Sequence, residues 1–123
     1  MRDTPEYYQF RKNVIIKDES KCIITMKHVT NPEVHHIYPF AIYPDKRFDV
    51  NCSVCISSEF HSVCCQGSFH NIYSVYNNTP EQFEEYVNMK RRELGIMEYF
   101  DVYEYMNDIY SDNLEIDDTM LDY

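Results

Sequence analysis

The clearest hydrophobic pattern in the chain is a helical one in residues 79–95. Thr79 is a favourable N-cap, Pro80 suits the first helical position, and Gln82 completes a Thr-x-x-Gln capping box. Gly95 is a favourable residue just past a helix end. The pattern predicts one long helix, with one face formed by residues at spacings of three and four: Phe83, Tyr86, Val87, Lys90 and Leu94.

Other segments carry the patterns of strands. Residues 33–38 form a short run that ends before Pro39, and residues 14–16 and 22–26 are rich in residues of high β propensity. Residues 48–56 alternate between apolar and mostly polar positions, which predicts a strand; the apolar set is Phe48, Val50, Cys52, Val54 and Ile56.

Shorter helices are predicted around these strands. Their starts are indicated by possible capping residues: Asp3 or Thr4 before residues 6–12, and Ser57 or Ser58 before a helix that contains Phe60, Val63 and Cys64 and stops at Gly67. After Gly95 a weak helical period continues to about residue 107, and the remainder is predicted to be a frayed acidic end. The elements together predict a small α+β fold.

Charge divides the chain into two parts. The 123 residues fit one domain, and 44% of them are hydrophobic, which is enough for a core. The net charge is −10, yet residues 1–92 hold all 11 basic residues and 11 acidic ones, whereas residues 93–123 hold ten acids and no Lys or Arg. We therefore expect a neutral domain at 1–94 and an acidic helical or disordered segment at 95–123. This pattern excludes a uniformly basic protein that coats DNA.

The same composition sets the expected compartment. No apolar run approaches 18 residues, and the first ten residues lack the apolar stretch of a secretory signal. Five cysteines are an odd number, so free or metal-binding thiols in a reducing compartment are expected rather than a disulfide framework. We expect no membrane association and a cytoplasmic location, in a host cell if the gene is phage or viral.

The strongest candidates for metal binding or acid–base chemistry are two adjacent histidines, His35 and His36, in the predicted strand at 33–38. Adjacent residues of a strand point to opposite faces. With a loop and a histidine-bearing helix after the strand, imidazoles could surround one divalent cation while a neighbouring imidazole acts as a base near pH 7. The further histidines in order are His61 and His70.

These residues resemble a known family. The run EVHHIYPFAIYPDKRFDVN, the later FHNIY and the segment NNTPEQFEEY are similar to the phage-type HNH endonucleases, also called His-Me finger or ββα-metal nucleases. The resemblance covers roughly residues 8–94. It implies a small ββα-metal core with flanking helices and a DNA endonuclease that hydrolyses phosphodiester bonds with one divalent metal ion: Mg²⁺, Mn²⁺, Ni²⁺ or Zn²⁺.

The resemblance also implies roles for particular residues. His35 corresponds to a metal ligand and His36 to the general base that activates water, while His61 and His70 are the metal ligands on the helical side. The supporting asparagine of the family falls at Cys52 by spacing, and Asn51 lies one residue early. A local bulge in the strand would let Asn51 serve in that catalytic role.

Two alternatives remain open at the level of sequence. The displaced asparagine, a cysteine where a ligand histidine is common, and the acidic tail fit a catalytically inactive HNH fold that serves as a binding or inhibitory protein. A weaker alternative is a small zinc-binding interaction protein whose ligands come from cysteines and histidines: Cys52, Cys55, His61, Cys64, Cys65 and His70.

Partners follow from the nuclease interpretation. DNA is the expected substrate, with phosphate contacts from two basic groups of residues: Lys46 and Arg47, and Lys90, Arg91 and Arg92. So little basic surface suggests a homodimer or a protein partner, and the acidic C-terminal segment is the candidate contact for that partner.

Overall fold

The computed structural model describes residues 4–106, which form a small α+β fold. The helices are α1 (Pro5–Lys17), α2 (Ser58–His61), α3 (Phe69–Ile72) and α4 (Pro80–Glu93); the strands are β1 (Glu33–His36) and β2 (Ser53–Ile56). Single 3₁₀ turns lie at Pro44–Lys46 and Val50–Cys52, and one helical turn lies at 102–106. In this part of the chain no helix is both long enough and apolar enough to cross a bilayer.

The two strands pair antiparallel and form the middle layer of the fold. Val34 is opposite Cys55 and His35 is opposite Val54. Because side chains alternate along a strand, these two pairs belong to opposite faces of the sheet. One face packs against α1, and the other packs against α4. This register places His35 and His36 on different faces, as the sequence predicted.

Helix α1 covers one face of the sheet and is longer than predicted. Thr4 caps it, since its Oγ1 accepts a hydrogen bond from the Tyr7 amide at 3.1 Å. Phe10 and Val14, one helical turn apart, are buried against Val34 and Cys55. The strand predicted at 14–16 is therefore wrong, because tertiary packing of this face outweighs the β propensity of its branched side chains.

Helix α4 confirms its prediction at both ends. The Thr79 hydroxyl accepts from the Gln82 amide at 3.1 Å, and the Gln82 side chain accepts from the Thr79 amide at 3.0 Å. At the other end the Ile96 amide donates to the Arg91 carbonyl at 2.8 Å, and the Gly95 amide donates to the Arg92 carbonyl at 3.1 Å. This pair of bonds is a Schellman motif, and it uses the positive φ of Gly95 (78°).

The chain after Gly95 returns along α4 and joins the main core. Phe100, Val102 and Met106 are buried there. Asn88 of α4 holds the segment, since its Oδ1 accepts from the Phe100 amide and its Nδ2 donates to the Phe100 carbonyl, both at 2.8 Å. The continuous helix predicted from Gly95 is wrong for residues 96–101, and the core does not end at residue 94. Residues after 106, with most of the predicted acidic tail, lie outside the described residues.

Two of the predicted strands differ from the structure. The strand predicted over 48–56 is confirmed only at Ser53–Ile56, because the Asp49 side chain accepts from the Asn51 amide at 3.0 Å and starts a 3₁₀ turn. The strand at 22–26 is wrong, since this segment turns through Met26 at φ 63° and only a single bridge joins Lys21 to His28.

The helix predicted to run to Gly67 ends at His61. A second short helix, α3, starts after Ser68, whose Oγ accepts from the Asn71 amide at 3.1 Å. The break between the two helices carries Gly67 with a positive φ of 80°. It turns the chain so that α3 packs beside α2.

Candidate metal centre

Three imidazoles converge between the sheet and the short helices. His35 comes from β1, His61 is the last residue of α2, and His70 lies in α3. One ring nitrogen from each lies within 4.8 Å of the others. The closest two, His35 Nδ1 and His61 Nε2, are 3.2 Å apart. Nitrogens bound to one cation at about 2.1 Å lie roughly 3.0–3.4 Å apart for octahedral or tetrahedral angles, so this spacing fits a shared metal.

Aromatic packing fixes the His35 ring. It stacks on Phe83 of α4 with ring centroids 4.1 Å apart, and it meets the edge of Phe69 at 5.1 Å. The side chain is fully enclosed, at 2% exposure. A ligand held in this way loses little rotational freedom when it binds a metal.

The turn between α2 and α3 is held by hydrogen bonds that position His61 and His70. The Ser68 hydroxyl donates to the Ser62 carbonyl at 2.5 Å, and the Tyr86 hydroxyl of α4 donates to the Gly67 carbonyl at 2.7 Å. The first bond closes the turn, and the second ties it to α4. They compensate for the short length of α2 and α3, which could not keep a fixed geometry alone.

Glu33 orients His61. Its Oε1 accepts from His61 Nδ1 at 2.7 Å, and its Oε2 accepts from the Ser62 hydroxyl at 2.6 Å. With the proton on Nδ1, the lone pair of the neutral His61 ring is on Nε2, the atom that faces His35. A carboxylate behind a histidine is the usual support of a metal-binding imidazole.

Burial disfavours the charged forms of His35 and His70. It lowers the pKa of His35 well below the ordinary value, and the neighbouring His61, His70 and His36 lower it further. Burial and then His61 lower the pKa of His70 to about 4. The hydrogen bond from His61 lowers the pKa of Glu33. Near pH 7, His35 and His70 are therefore neutral, as metal ligation requires.

His36 lies beside the cluster but on the opposite face of β1. Its Nε2 lies 3.0 Å from the Arg47 carbonyl oxygen, which can only accept, so Nε2 carries the proton and the lone pair of the neutral ring is on Nδ1. The ring stacks on Phe10 at 5.3 Å and contacts the Phe40 ring at 5.1 Å. These contacts fix both the tautomer and the orientation of a potential base.

One cavity of about 90 Å³ connects these groups. It is lined by Val34, His35, His36, Pro39, Phe40, His61, His70, Val75 and Asn78. At roughly 30 Å³ for each molecule, its volume suits on the order of three waters. Among residues 4–106, three buried side-chain atoms have no hydrogen-bond partner, and all belong to residues that line this cavity: His35 Nε2, His70 Nδ1 and Asn78 Oδ1.

The structure thus brings together four of the five residues that sequence singled out for metal binding and catalysis: His35, His36, His61 and His70. The fifth, Asn51, lies in the 3₁₀ turn before β2 and is not among the lining residues of the cavity in the part of the chain described. Its neighbour Cys52 is buried in the main core.

The basic residues predicted to contact DNA have different environments. Arg47 Nε donates to the Phe40 carbonyl at 2.8 Å, which places Arg47 at the cavity rim, and Lys46 lies over the Tyr38 ring at 5.4 Å. On α4, Arg92 is exposed and Lys90 pairs with Glu93 at 3.3 Å.

Arg91 is a structural residue in this fold. It is buried at 5% exposure, and its guanidinium donates to the Ile23 carbonyl at 2.5 Å and to the Glu98 carbonyl at 3.1 Å. A phosphate contact would require Arg91 to give up these bonds.

The cysteines do not gather around the imidazoles. Cys52 and Cys55 belong to separate core clusters on the two sides of β2, as strand alternation indicates. Cys64 is exposed. Within residues 4–106, the group with metal-ligand spacing contains three histidines and no thiol.

Sequence reasoning missed two residues of the site, Glu33 and Asn78. Glu33 had a usable signal, because it lies two positions before His35 on a strand and shares its face. Asn78 had none, since it lies immediately before the Thr79 cap and outside the predicted helix.

Comparisons of the chain with family models, with curated proteins and with solved structures find no match.

Proposed function

We propose that the protein is a metal-dependent DNA endonuclease of the HNH type, with β1, β2 and α2 as a ββα-metal core. The observation that carries the proposal is the convergence of His35, His61 and His70 within 4.8 Å next to an oriented fourth imidazole, His36. The order of strand, strand and helix supports it, as does the resemblance of the histidine motifs to that family.

The three histidines serve as the ligands of one divalent ion: Mg²⁺, Mn²⁺, Ni²⁺ or Zn²⁺. The neutral state of His35 and His70 and the burial of His35 favour binding, and Glu33 fixes the tautomer of His61. An ion held there supplies positive charge next to the scissile phosphate, where negative charge builds up during hydrolysis.

His36 acts as the general base. Its Nδ1 lone pair takes a proton from water, and the water oxygen forms a bond to phosphorus as the bond from phosphorus to the leaving 3′ oxygen breaks. The Arg47 carbonyl keeps the Nε2 proton in place, at 3.0 Å. It also stabilises the imidazolium that forms when Nδ1 is protonated.

The cavity of about 90 Å³ has room for a phosphate oxygen and water beside the histidines. Arg47, which contacts Phe40 of the cavity lining, and the adjacent Lys46 are the first candidates for phosphate contacts, and Lys90 and Arg92 of α4 are further candidates.

A plasmid-nicking assay with each of the four metal ions tests this function. Wild-type protein is expected to nick DNA with at least one ion. His36→Ala should lose activity by a factor of about 100 or more and still bind metal, whereas His35→Ala should lose both.

His28→Ala is the matched control, because His28 is exposed and, in the part of the chain described, belongs neither to the cavity lining nor to the histidine cluster. It should cut like wild type. No cleavage with any ion, or equal cleavage by His36→Ala, overturns the nuclease proposal.

The second candidate is a catalytically inactive protein of the same fold that binds DNA or inhibits a partner. The position of Asn51 away from the cavity lining and the burial of Cys52 favour it. Metal binding and DNA binding without cleavage would support this candidate. A homodimer or a partner held by the acidic C-terminal segment fits either function.

A further inference from the structure

We propose that Asn78 is a fourth ligand of the centre, binding through its side-chain oxygen the same cation that His35, His61 and His70 hold. The inference rests on the proposed metal centre and deepens it. With Asn78 bound, the ligand set contains three imidazole nitrogens and one amide oxygen.

A hydrogen bond to Ser74 fixes the orientation of the Asn78 side-chain amide. Nδ2 donates to the Ser74 carbonyl at 2.9 Å, and a carbonyl cannot donate, so the nitrogen must lie on that side. Oδ1 is consequently directed away from Ser74. The residue lines the cavity with the three histidines and is 4% exposed.

The Asn78 oxygen has no hydrogen-bond partner among residues 4–106. A buried carbonyl without a partner is destabilising and is rare in native folds. The other two such atoms in this part of the chain belong to His35 and His70. The unpaired atoms of His70 and Asn78 belong to residues that line one cavity, and a bound species there would complete the interactions of both. The unpaired His35 Nε2 lies on the other side of its ring from Nδ1, the atom that faces His61.

The backbone next to Asn78 is rigid. Thr79 caps α4 through two reciprocal bonds with Gln82 at 3.1 and 3.0 Å, and Pro80 follows at the first helical position. Asn78 is the residue immediately before this cap. The cap fixes the backbone beside Asn78, so binding of its side chain to a cation would cost little backbone entropy.

An oxygen ligand changes which ions the centre prefers. Imidazole nitrogens alone suit Zn²⁺ and Ni²⁺, whereas oxygen donors favour harder ions such as Mn²⁺ and Mg²⁺. Asn78 is therefore expected to matter more for Mn²⁺ than for Zn²⁺. In this arrangement Asn78 supplies the side-chain amide that the family resemblance leads us to expect from Asn51.

The test measures Mn²⁺ and Zn²⁺ affinity of the full chain by calorimetric titration. Asn78→Ala should weaken Mn²⁺ binding about tenfold and Zn²⁺ binding less. Asn78→Asp, which places a charged oxygen at the same position, should strengthen Mn²⁺ binding and increase the rise in Tm that Mn²⁺ produces.

Asn77 provides matched controls, because it is the adjacent residue and is exposed. Asn77→Ala should leave both affinities unchanged. Asn77→Asp should change them far less than Asn78→Asp. Equal effects of the two aspartates would indicate a general charge effect and would overturn the proposal, as would Mn²⁺ binding by Asn78→Ala within twofold of wild type.

His35→Ala separates this inference from the proposed function. If wild type binds Mn²⁺ and His35→Ala does not, the histidine centre exists, and the Asn78 variants alone decide the present proposal. If His35→Ala binds Mn²⁺ as wild type does, the centre itself is wrong. The Tm without metal establishes that each variant is folded. If Asn78→Ala does not fold, Asn78→Asp decides the proposal alone, because aspartate retains the shape of the side chain.

Discussion

Glu33 and His61 form a hydrogen bond of 2.7 Å between Oε1 and Nδ1, and this contact determines which nitrogen of His61 faces the other two histidines. Ser62 donates to the second carboxylate oxygen at 2.6 Å. The carboxylate is thus held from two sides and acts as a support for the candidate metal ligand.

Glu33→Gln is expected to weaken metal binding by a factor of roughly 10–100, because the amide can turn its NH₂ group toward His61 and favour the wrong tautomer. Calorimetric titration with Mn²⁺ and Zn²⁺ measures the change. Glu59→Gln in α2 is the control, since Glu59 is exposed. Equal affinities of wild type and Glu33→Gln would show that His61 does not depend on this carboxylate.

Asn88→Ala is expected to lower the free energy of unfolding by about 2–3 kcal/mol, because it leaves the buried Phe100 amide and carbonyl without their partners. Urea unfolding followed by far-UV circular dichroism provides the measurement. Asn13→Ala, on the exposed side of α1, should change stability by no more than about 0.5 kcal/mol. A similarly small effect at Asn88 would mean that residues 98–106 add little to the core.

Cys55 is expected to resist alkylation in the folded protein. Burial, and then the Asp18 carboxylate, raise its pKa to about 12, so raising the pH from 7 to 9 still leaves almost all of this thiol protonated and unreactive. Iodoacetamide followed by peptide mass analysis should find label at the exposed Cys64, and at Cys55 only after denaturation. Similar labelling rates for both thiols in folded protein would contradict this prediction.

Deletion of residues 107–123 tests the acidic segment. Six of its residues are acidic and none is Lys or Arg, so removal should tighten DNA binding severalfold at low salt if the segment competes with phosphate, and the effect should shrink as salt rises. The cut follows Met106 because Phe100, Val102 and Met106 belong to the core. Unchanged DNA affinity at low salt would exclude competition.

Replacing the six acids by their amides is the matched control for this deletion. If charge is responsible, the neutral full-length chain should bind DNA like the truncated one. If only the truncated chain binds more tightly, the length of the segment rather than its charge is what matters.

The elements predicted correctly are those whose local signals agree with their packing. Helix α4 has a capping box, an amphipathic face and a C-terminal glycine, and all three are present in the fold. The opposite orientation of His35 and His36 follows from strand geometry alone.

The failures occur where packing or a side chain outweighs local preference. Val14 has strand propensity, but it lies one helical turn from Phe10 on the face that covers the sheet. Asp49 converts the start of the predicted second strand into a 3₁₀ turn through its bond to the Asn51 amide.

The candidate site was predictable as a set of histidines but not as a cavity. Sequence order placed His35, His61 and His70 in one region. Glu33 acts through a hydrogen bond to His61, 28 residues further along the chain. The role of Asn78 depends on the orientation of its side-chain amide. Neither has a local signature.

The packing of Phe100 against Phe83, with centroids 6.0 Å apart, has a consequence for synthesis. Phe83 is the ring on which His35 stacks, so the wall behind the histidine cluster is complete only when residues 98–106 are in place. A ribosome-bound chain that lacks them has all its histidines but an incomplete core. The histidine cluster is therefore expected to reach its final geometry only after translation has passed this segment.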